Sequence, residues 1–265
     1  MYEFGYHRVG SVEEAAKLLA ADPEAKLIAG GQTLIPVLKQ RLNRPSTVID
    51  LSGAKLAGIK VDGNTVTIGA MTPHGAVASS QEVRRVIPAL AELALVIGDE
   101  QVRHRGTIGG SLANNDPAAD YPAAALALNA TIRTQRREIK ADDFFLGMFT
   151  TALEPDEIIT AVTFPAPEKA AYEKFRNPAS RYAMVGVFVA KLRDGSVRVV
   201  VTGAGQNGVF RHTAMEQALA SNLSPDAIAN VATPVSEMNA DIHGSAEYRA
   251  HLVGVMAKRA LAKLR

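Results

Sequence analysis

The chain has 265 residues, of which 47% are hydrophobic and 21% charged, and its formal net charge is +2. This length and composition are typical of a folded protein with a large core and two or three subdomains, and the charge gives no indication of a nucleic-acid or membrane partner. The absence of cysteine excludes disulfides, thiolate zinc sites, cysteine-held iron–sulfur clusters and a cysteine nucleophile within this chain. We expect no metal site, because the six histidines are scattered.

The first 52 residues predict a strand–helix–strand–helix–strand unit. Ser11 and Glu14 form a capping-box pattern at the start of the first predicted helix, "SVEEAAKLLAAD". The second predicted helix, "LIPVLKQRL", follows a pair of glycines, and the three predicted strands are "YEFGYHRV", "AKLIAG" and "STVIDLS".

Beyond residue 58 the hydrophobic period changes, and two alternating runs around "DGN" predict a hairpin. Helices are predicted near 73–80 and 88–97, followed by an unusual loop at 105–122. The stretch "AAALALNA" predicts a helix, and "ATIRTQ" and "EIITAVTF" predict strands.

The segment "PAPEKAA" at 165–171 is the best candidate for a linker, because it combines two prolines with charge and no periodicity. A second hairpin is predicted to turn at Asp194–Gly195, and helical runs are predicted near 213–221, 224–231 and 246–264. We expect two subdomains, 1–56 and 57–168, and a third unit at 172–265.

Two segments pair adjacent glycines with a hydroxyl residue, at Ala29–Thr33 and at Thr107–Ser111. Each is either a plain tight turn or a place where backbone N–H groups converge on a phosphate. Two such loops from separate subdomains could hold one pyrophosphate between them. Neither segment matches a Walker A loop or the G-x-G-x-x-G pattern of a Rossmann site, and "GAGQNG" at 203–208 is expected only to end a strand.

Two carboxylates follow the second glycine pair. Asp116 is a candidate N-cap for a helix that begins at Pro117. Asp120 is a candidate acceptor for ribityl or ribose hydroxyls.

Together, "AGGQTLIP" and "RGTIGGSLANNDPAADYP" resemble the FAD-binding subunit of the molybdenum hydroxylase family, which includes xanthine dehydrogenases, aldehyde oxidoreductases and aerobic carbon monoxide dehydrogenases. The opening F-x-Y-H-R-x-x-S layout and the stretches "VIDL", "IGAMT" and "FTTALEPDEIITAV" extend the resemblance over the chain, most closely to the medium subunit of carbon monoxide dehydrogenase-type enzymes.

The resemblance implies an α+β fold: a two-subdomain FAD-binding fold of the vanillyl-alcohol oxidase (PCMH) type, with a small C-terminal α+β domain. It implies FAD between the subdomains, held non-covalently because cysteine is absent and no histidine matches an attachment position. Many members have histidine and serine in place of Gln32 and Thr33; both replacements keep hydrogen-bonding capacity but weaken an assignment to carbon monoxide oxidation. The cofactor-binding residues it implies are Ala29, Gly30, Gly31, Gln32, Thr33, Leu34, Thr107, Ile108, Gly109, Gly110, Ser111, Asp120, Lys174 and Tyr182.

The function implied by the resemblance is electron transfer, without a catalytic acid–base pair in this chain. A cytoplasmic location is expected by default, because the N-terminus lacks a signal-peptide layout and no apolar run has membrane-spanning length. The implied partners are a [2Fe–2S] small subunit and a molybdopterin large subunit, in a dimer of heterotrimers, with quinone, O2 or NAD+ as the external acceptor. Two alternatives remain open: a self-contained flavin oxidoreductase, which the short chain disfavours, and a non-catalytic assembly or sensory protein that kept the fold.

Overall fold

A computed structural model describes residues 1–265, and three main β-sheets organise the chain. The N-terminal sheet is parallel, with its strands in the order β1–β3–β2, so its strands require crossover connections. Ser11 Oγ accepts a hydrogen bond from the N–H of Glu14, and the Glu14 carboxylate accepts one from the N–H of Gly10, which fixes the start of the first helix. The predicted element order is confirmed: β1 (Gly5–Arg8), α1 (Val12–Ala21), β2 (Lys26–Ile28), α2 (Leu34–Lys39) and β3 (Thr47–Asp50).

The central sheet is antiparallel, with the strand order β4–β5–β10–β6–β7, and the edge strand β4 forms the predicted hairpin with its neighbour β5. A small separate hairpin, β8–β9, lies beside it. Helices between β5 and β6 bury the apolar face of the sheet. The elements are β4 (Ile59–Asp62), β5 (Thr65–Gly69), α3 (His74–Ser79), α4 (Gln81–Val86), α5 (Pro88–Leu95), α6 (Glu100–Arg105), α7 (Ile108–Asn114), α8 (Tyr121–Ala127), β6 (Thr131–Thr134), β7 (Glu138–Lys140), α9 (Ala141–Phe144), β8 (Phe145–Gly147), β9 (Thr150–Thr151) and β10 (Ile159–Pro165).

The prediction of an unbroken loop at 105–122 is wrong, because α7 lies within it. Thr107 caps this helix through its side chain, and Gly109 packs closely against Ala70, so the helix forms despite the low helix propensity of its two glycines. The prediction of Asp116 as a helix N-cap is also wrong. Asp116 accepts from the N–H of Ala118 in a turn, and the next helix begins at Tyr121.

The C-terminal sheet is antiparallel, in the order β11–β12–β13–β14, and its hairpin turns at the predicted Asp194–Gly195. The linker prediction for 165–171 is wrong at both ends, since Pro165 ends β10 and Lys169 begins β11. The predicted helix near 224–231 is only a 3-10 turn, Pro225–Ile228. The elements are β11 (Lys169–Arg176), β12 (Ala183–Lys191), β13 (Val197–Thr202), β14 (Phe210–Arg211), α10 (Thr213–Leu219) and α11 (Ala246–Ala262).

Strand β12 is buried on both faces, as its continuous apolar run requires. Val185, Val187 and Val189 face the core under α10 and α11, whereas Phe188 and Ala190 face the core shared with the central sheet. The same alternation applies to β11, so Tyr172 joins the shared core and Ala171 joins the other. The third sheet is therefore the middle layer between two sets of helices. None of the helices combines the length and apolar character needed to cross a bilayer.

Candidate functional site

A cavity of about 610 Å³ opens where the three sheets meet. Its wall combines the segment after β2, the start of α7, the residues before α8 and Lys174 of β11. The structure therefore brings together segments that are far apart in the sequence. Of the residues predicted for the site, all except Ile108 line this cavity. Ile108 is fully buried in the core.

The first glycine segment has an unusual backbone. The five successive N–H groups from Ala29 to Thr33 donate no hydrogen bond within the chain. Gly31 has a φ of +74°, a conformation that side chains disfavour. A Cβ added at Gly30 would lie 2.0 Å from the carbonyl oxygen of Arg105. This segment thus combines close contact with the chain before α7 and a row of unpaired donors, which suits an anion.

The second glycine segment is different, because its amides are already bonded inside the chain. The N–H of Ile108 donates to Thr72 O, that of Gly109 to Ala70 O, and those of Gly110 and Ser111 to Thr107. A Cβ at Gly109 would lie 2.6 Å from that of Ala70, so this glycine serves helix packing. The expected pair of equivalent backbone cradles is not present. The hydroxyl of Ser111 remains as a donor at the cavity wall.

Asp120 and Lys174 form a buried ion pair at the cavity wall. Lys174 Nζ donates to Asp120 Oδ2 at 2.9 Å and to Val96 O at 3.1 Å, and the two side chains are 2% and 4% exposed. Tyr172 donates its hydroxyl to Asp120 Oδ1 at 2.5 Å. Burial raises the pKa of Asp120, and the nearby Lys174 ammonium and the Tyr172 hydrogen bond act in the opposite direction. The charge of Lys174 is therefore balanced by a carboxylate.

Tyr182 lines the cavity and is half-exposed, so it lies at the wall where solvent enters. Partial burial raises its pKa, and the carboxylates of Asp116 and Asp120 raise it further. An exposed aromatic ring on a cavity wall offers a flat apolar surface to a ligand ring.

Family models match nearly the whole chain. Residues 2–167 match the FAD binding domain in molybdopterin dehydrogenase, and residues 170–264 match the CO dehydrogenase flavoprotein C-terminal domain. The chain belongs to the family of FAD-binding medium subunits of molybdenum hydroxylases. It is an oxidoreductase subunit that binds FAD, with the FAD-binding fold expected from the resemblance.

The similarity to known proteins covers almost the whole chain. The carbon monoxide dehydrogenase medium chain of Hydrogenophaga pseudoflava is 36% identical over 97% of this chain and 96% of its own. The nicotine 6-hydroxylase medium subunit of Paenarthrobacter nicotinovorans is 38% identical over 97% of this chain and 95% of its own. The solved structure of reconstituted CO dehydrogenase from Oligotropha carboxidovorans superposes with a TM-score of 0.90 at 33% identity, covering 98% of this chain and 97% of the other.

The cavity residues fit FAD by their chemistry. The unpaired amides of the first glycine segment suit a pyrophosphate, and Asp120 keeps acceptor capacity for hydroxyl groups. The cavity volume is in the range of cofactor sites. No cluster of three or more His, Cys, Asp or Glu side chains is placed to hold a metal ion.

Sequence reasoning missed several residues at or beside the site, among them His74, Glu157 and Tyr172. His74 lines the cavity, and burial followed by the charge of Arg103 lowers its pKa to about 4, so it is neutral near pH 7. Glu157 also lines the cavity, and its carboxylate accepts hydrogen bonds from Arg137. Tyr172 reaches the site only through Asp120. The one available signal was the spacing of Tyr172 and Lys174, which places both on one face of a strand.

Proposed function

We propose that this chain is the FAD-carrying electron-transfer subunit of a molybdenum hydroxylase complex. Electrons arrive from [2Fe–2S] clusters on a small subunit and leave to an external acceptor, which is quinone, O2 or NAD+. A molybdopterin-containing large subunit oxidises the substrate. The observation that carries the proposal is one cavity lined by both glycine segments and by Asp120, Lys174 and Tyr182, in a chain without cysteine.

The residues of this chain bind and orient the cofactor, whereas FAD supplies the redox chemistry when bound. The amides from Ala29 to Thr33 hold the pyrophosphate, together with the hydroxyl of Ser111. The Asp120 carboxylate accepts hydrogen bonds from the hydroxyls of the flavin's polar chain. Lys174 and Tyr182 lie beside the ring system. We propose non-covalent binding, because the chain has no cysteine and no histidine that matches an attachment position.

Relatives support the assembly part of the proposal. The Hydrogenophaga and Paenarthrobacter relatives are named as medium chains or subunits, a term that implies other subunits. We propose the same arrangement here, as a dimer of heterotrimers. This chain covers almost the full length of those relatives, so the proposal rests on the whole subunit.

Purification of the assembly from its native host tests the proposal directly. We expect flavin absorption bands that move to the supernatant on acid precipitation, co-purification of an iron–sulfur and a molybdenum subunit, and flavin bleaching only when the substrate-oxidising subunit is present. A colourless assembly contradicts the proposal. Bleaching of this chain alone by small organic substrates favours a self-contained oxidoreductase.

A further inference from the structure

Each carboxylate oxygen of Asp120 is held by one donor. The Tyr172 hydroxyl donates to Oδ1 at 2.5 Å, and Lys174 Nζ donates to Oδ2 at 2.9 Å. Asp120 and Tyr172 are 4% and 7% exposed, so neither can exchange these partners freely for water. An ionised carboxylate offers about four lone-pair sites. Each oxygen therefore keeps capacity for a further hydrogen bond.

Both donors come from strand β11, two residues apart, and so project from one face. Asp120 stands before α8 in the part of the chain matched by the FAD-binding model, whereas β11 belongs to the part matched by the C-terminal model. The C-terminal unit thus supplies the immediate surroundings of a residue of the proposed cofactor site.

We propose that Tyr172 is a positioning residue of the cofactor site, whose hydroxyl holds the Asp120 carboxylate ionised and directed at the cofactor's hydroxyl groups. The inference rests on the proposed function. Tyr172 itself does not line the cavity. Its effect on the cofactor is therefore transmitted through Asp120.

Several charged and titratable groups act on the pKa of Asp120. Burial raises the pKa of Asp120 above its usual value, whereas Lys174, the Tyr172 hydroxyl and Arg176, all on β11, act to lower it. Tyr182 lies near Asp120 and Asp116: burial raises the pKa of Tyr182, and the charges of both carboxylates raise it further. Removing the Tyr172 hydroxyl removes a donor to the charged form, so the pKa of Asp120 rises. Cofactor binding that needs the carboxylate is then lost at a higher pH than in the wild type.

The chain contains a matched control, because Tyr121 is also fully buried and its hydroxyl has no partner. Tyr172→Phe and Tyr121→Phe each delete one buried hydroxyl, but only the first deletes a bond to Asp120. We expect Tyr172→Phe to weaken FAD retention in the purified assembly by about tenfold or more near neutral pH, as for loss of a hydrogen bond to a charged group. The loss deepens as pH falls, while Tyr121→Phe follows the wild type.

A second measurement reads the carboxylate directly in the full chain without added cofactor. The 13C carboxyl signal of Asp120, assigned with Asp120→Asn, is expected to titrate at higher pH in Tyr172→Phe than in the wild type or Tyr121→Phe. Unchanged titration and unchanged FAD retention in Tyr172→Phe overturn the inference, as does an equal effect of Tyr121→Phe. A wild-type assembly without flavin overturns the proposed function itself, so the two failures are distinguishable.

Discussion

Gly30 lies against the backbone of the chain before α7, with no room for a side chain. We expect Gly30→Ala to lower the free energy of unfolding by about 1–3 kcal/mol, the usual range for overpacking. FAD affinity falls as well, because Arg105 or the glycine segment must move. Urea unfolding and flavin retention measure the two effects.

Gly254 provides the control for this substitution. It lies inside α11, and a Cβ there would contact nothing within 4 Å. Gly254→Ala should therefore raise the free energy of unfolding by roughly 0.5–1 kcal/mol through helix propensity. Equal stability of the Gly30→Ala protein and the wild type would contradict the close contact.

The charge of Lys174 is expected to affect the midpoint potential of the bound flavin. Lys174→Ala leaves the carboxylate of Asp120 without its cation, so negative charge beside the proposed ring position is no longer balanced. We expect the midpoint potential of the bound flavin to become more negative, because reduction adds negative charge. Potentiometric titration of the assembly measures it, and Lys174→Arg, which keeps the charge, serves as the control. An unchanged potential in Lys174→Ala would rule out this role.

At the residue scale, the sequence was informative where the backbone itself is constrained. Gly30, Gly31 and Asp120 were predicted for the site from their motifs, and all three line the cavity. The different roles of the two glycine pairs were not predictable, since hydrogen bonds from Gly109 to Ala70 and from Ile108 to Thr72 depend on tertiary contacts. Tyr172 was missed for the same reason, because its partner lies 52 residues away.

Among the elements, the β8–β9 hairpin is held by one buried side chain. Asn115 donates its side-chain amide to Gly147 O at 2.7 Å and to Thr150 O at 2.9 Å, and its φ is +44°. Asn115→Ala should lower the free energy of unfolding and accelerate hydrogen exchange at Phe149, whose N–H donates to Asn115 O.

Asn129→Ala is the control that separates the loss of side-chain hydrogen bonds from the backbone strain of a positive φ. Its φ is +52°, but its side chain makes no hydrogen bond within the chain, so Asn129→Ala introduces only backbone strain. We expect Asn115→Ala to be the more destabilising by roughly 0.5–1.5 kcal/mol, the usual net contribution of a hydrogen bond, because the carbonyls left without a donor belong to the half-buried Gly147 and the exposed Thr150. Equal losses in the two variants would assign the whole effect to backbone conformation.

Glu157 joins the β6–β7 turn to the start of β10 and introduces a pH dependence. Hydrogen bonds from Arg137, the Glu154 N–H and Thr134 lower its pKa from 4.5 to about 2. A lowered folded-state pKa contributes stability that is present above 4.5 and is lost as pH falls towards 2. Glu157→Gln should therefore flatten the fall in unfolding free energy across this window. Urea unfolding at several pH values measures it, and an unchanged slope would contradict the assignment.

Regular elements with strong patterns were predictable from the sequence. The hairpin of β12 and β13 and the long helix α11 follow from alternation and helical spacing. Two errors have physical causes. The glycines of α7 led to the prediction of a loop, although the packing of this helix against Ala70 requires Gly109. The prolines before β11 led to the prediction of a linker, although the strand already begins at Lys169.

For the whole molecule, the cavity joins all three sheets, so a bound cofactor should stabilise them together. FAD at about 100 times its dissociation constant adds roughly 2.7 kcal/mol to the unfolding free energy. We expect slower hydrogen exchange in residues of β3, β5 and β11 alike when FAD is added to the full chain. Protection confined to one sheet would contradict a site shared among the three.

Because the C-terminal sheet is the middle layer, the gene cannot be divided at the boundary between the two family models without exposing core residues. Phe188, Ala190 and Val200 belong to the core of the central sheet, although they lie beyond the boundary between the two family models. A fragment that begins at residue 170 would expose them to water and would aggregate on expression. The complementary fragment would lose the same contacts. The two halves are therefore expected to be inherited and expressed as one unit, even though separate models describe them.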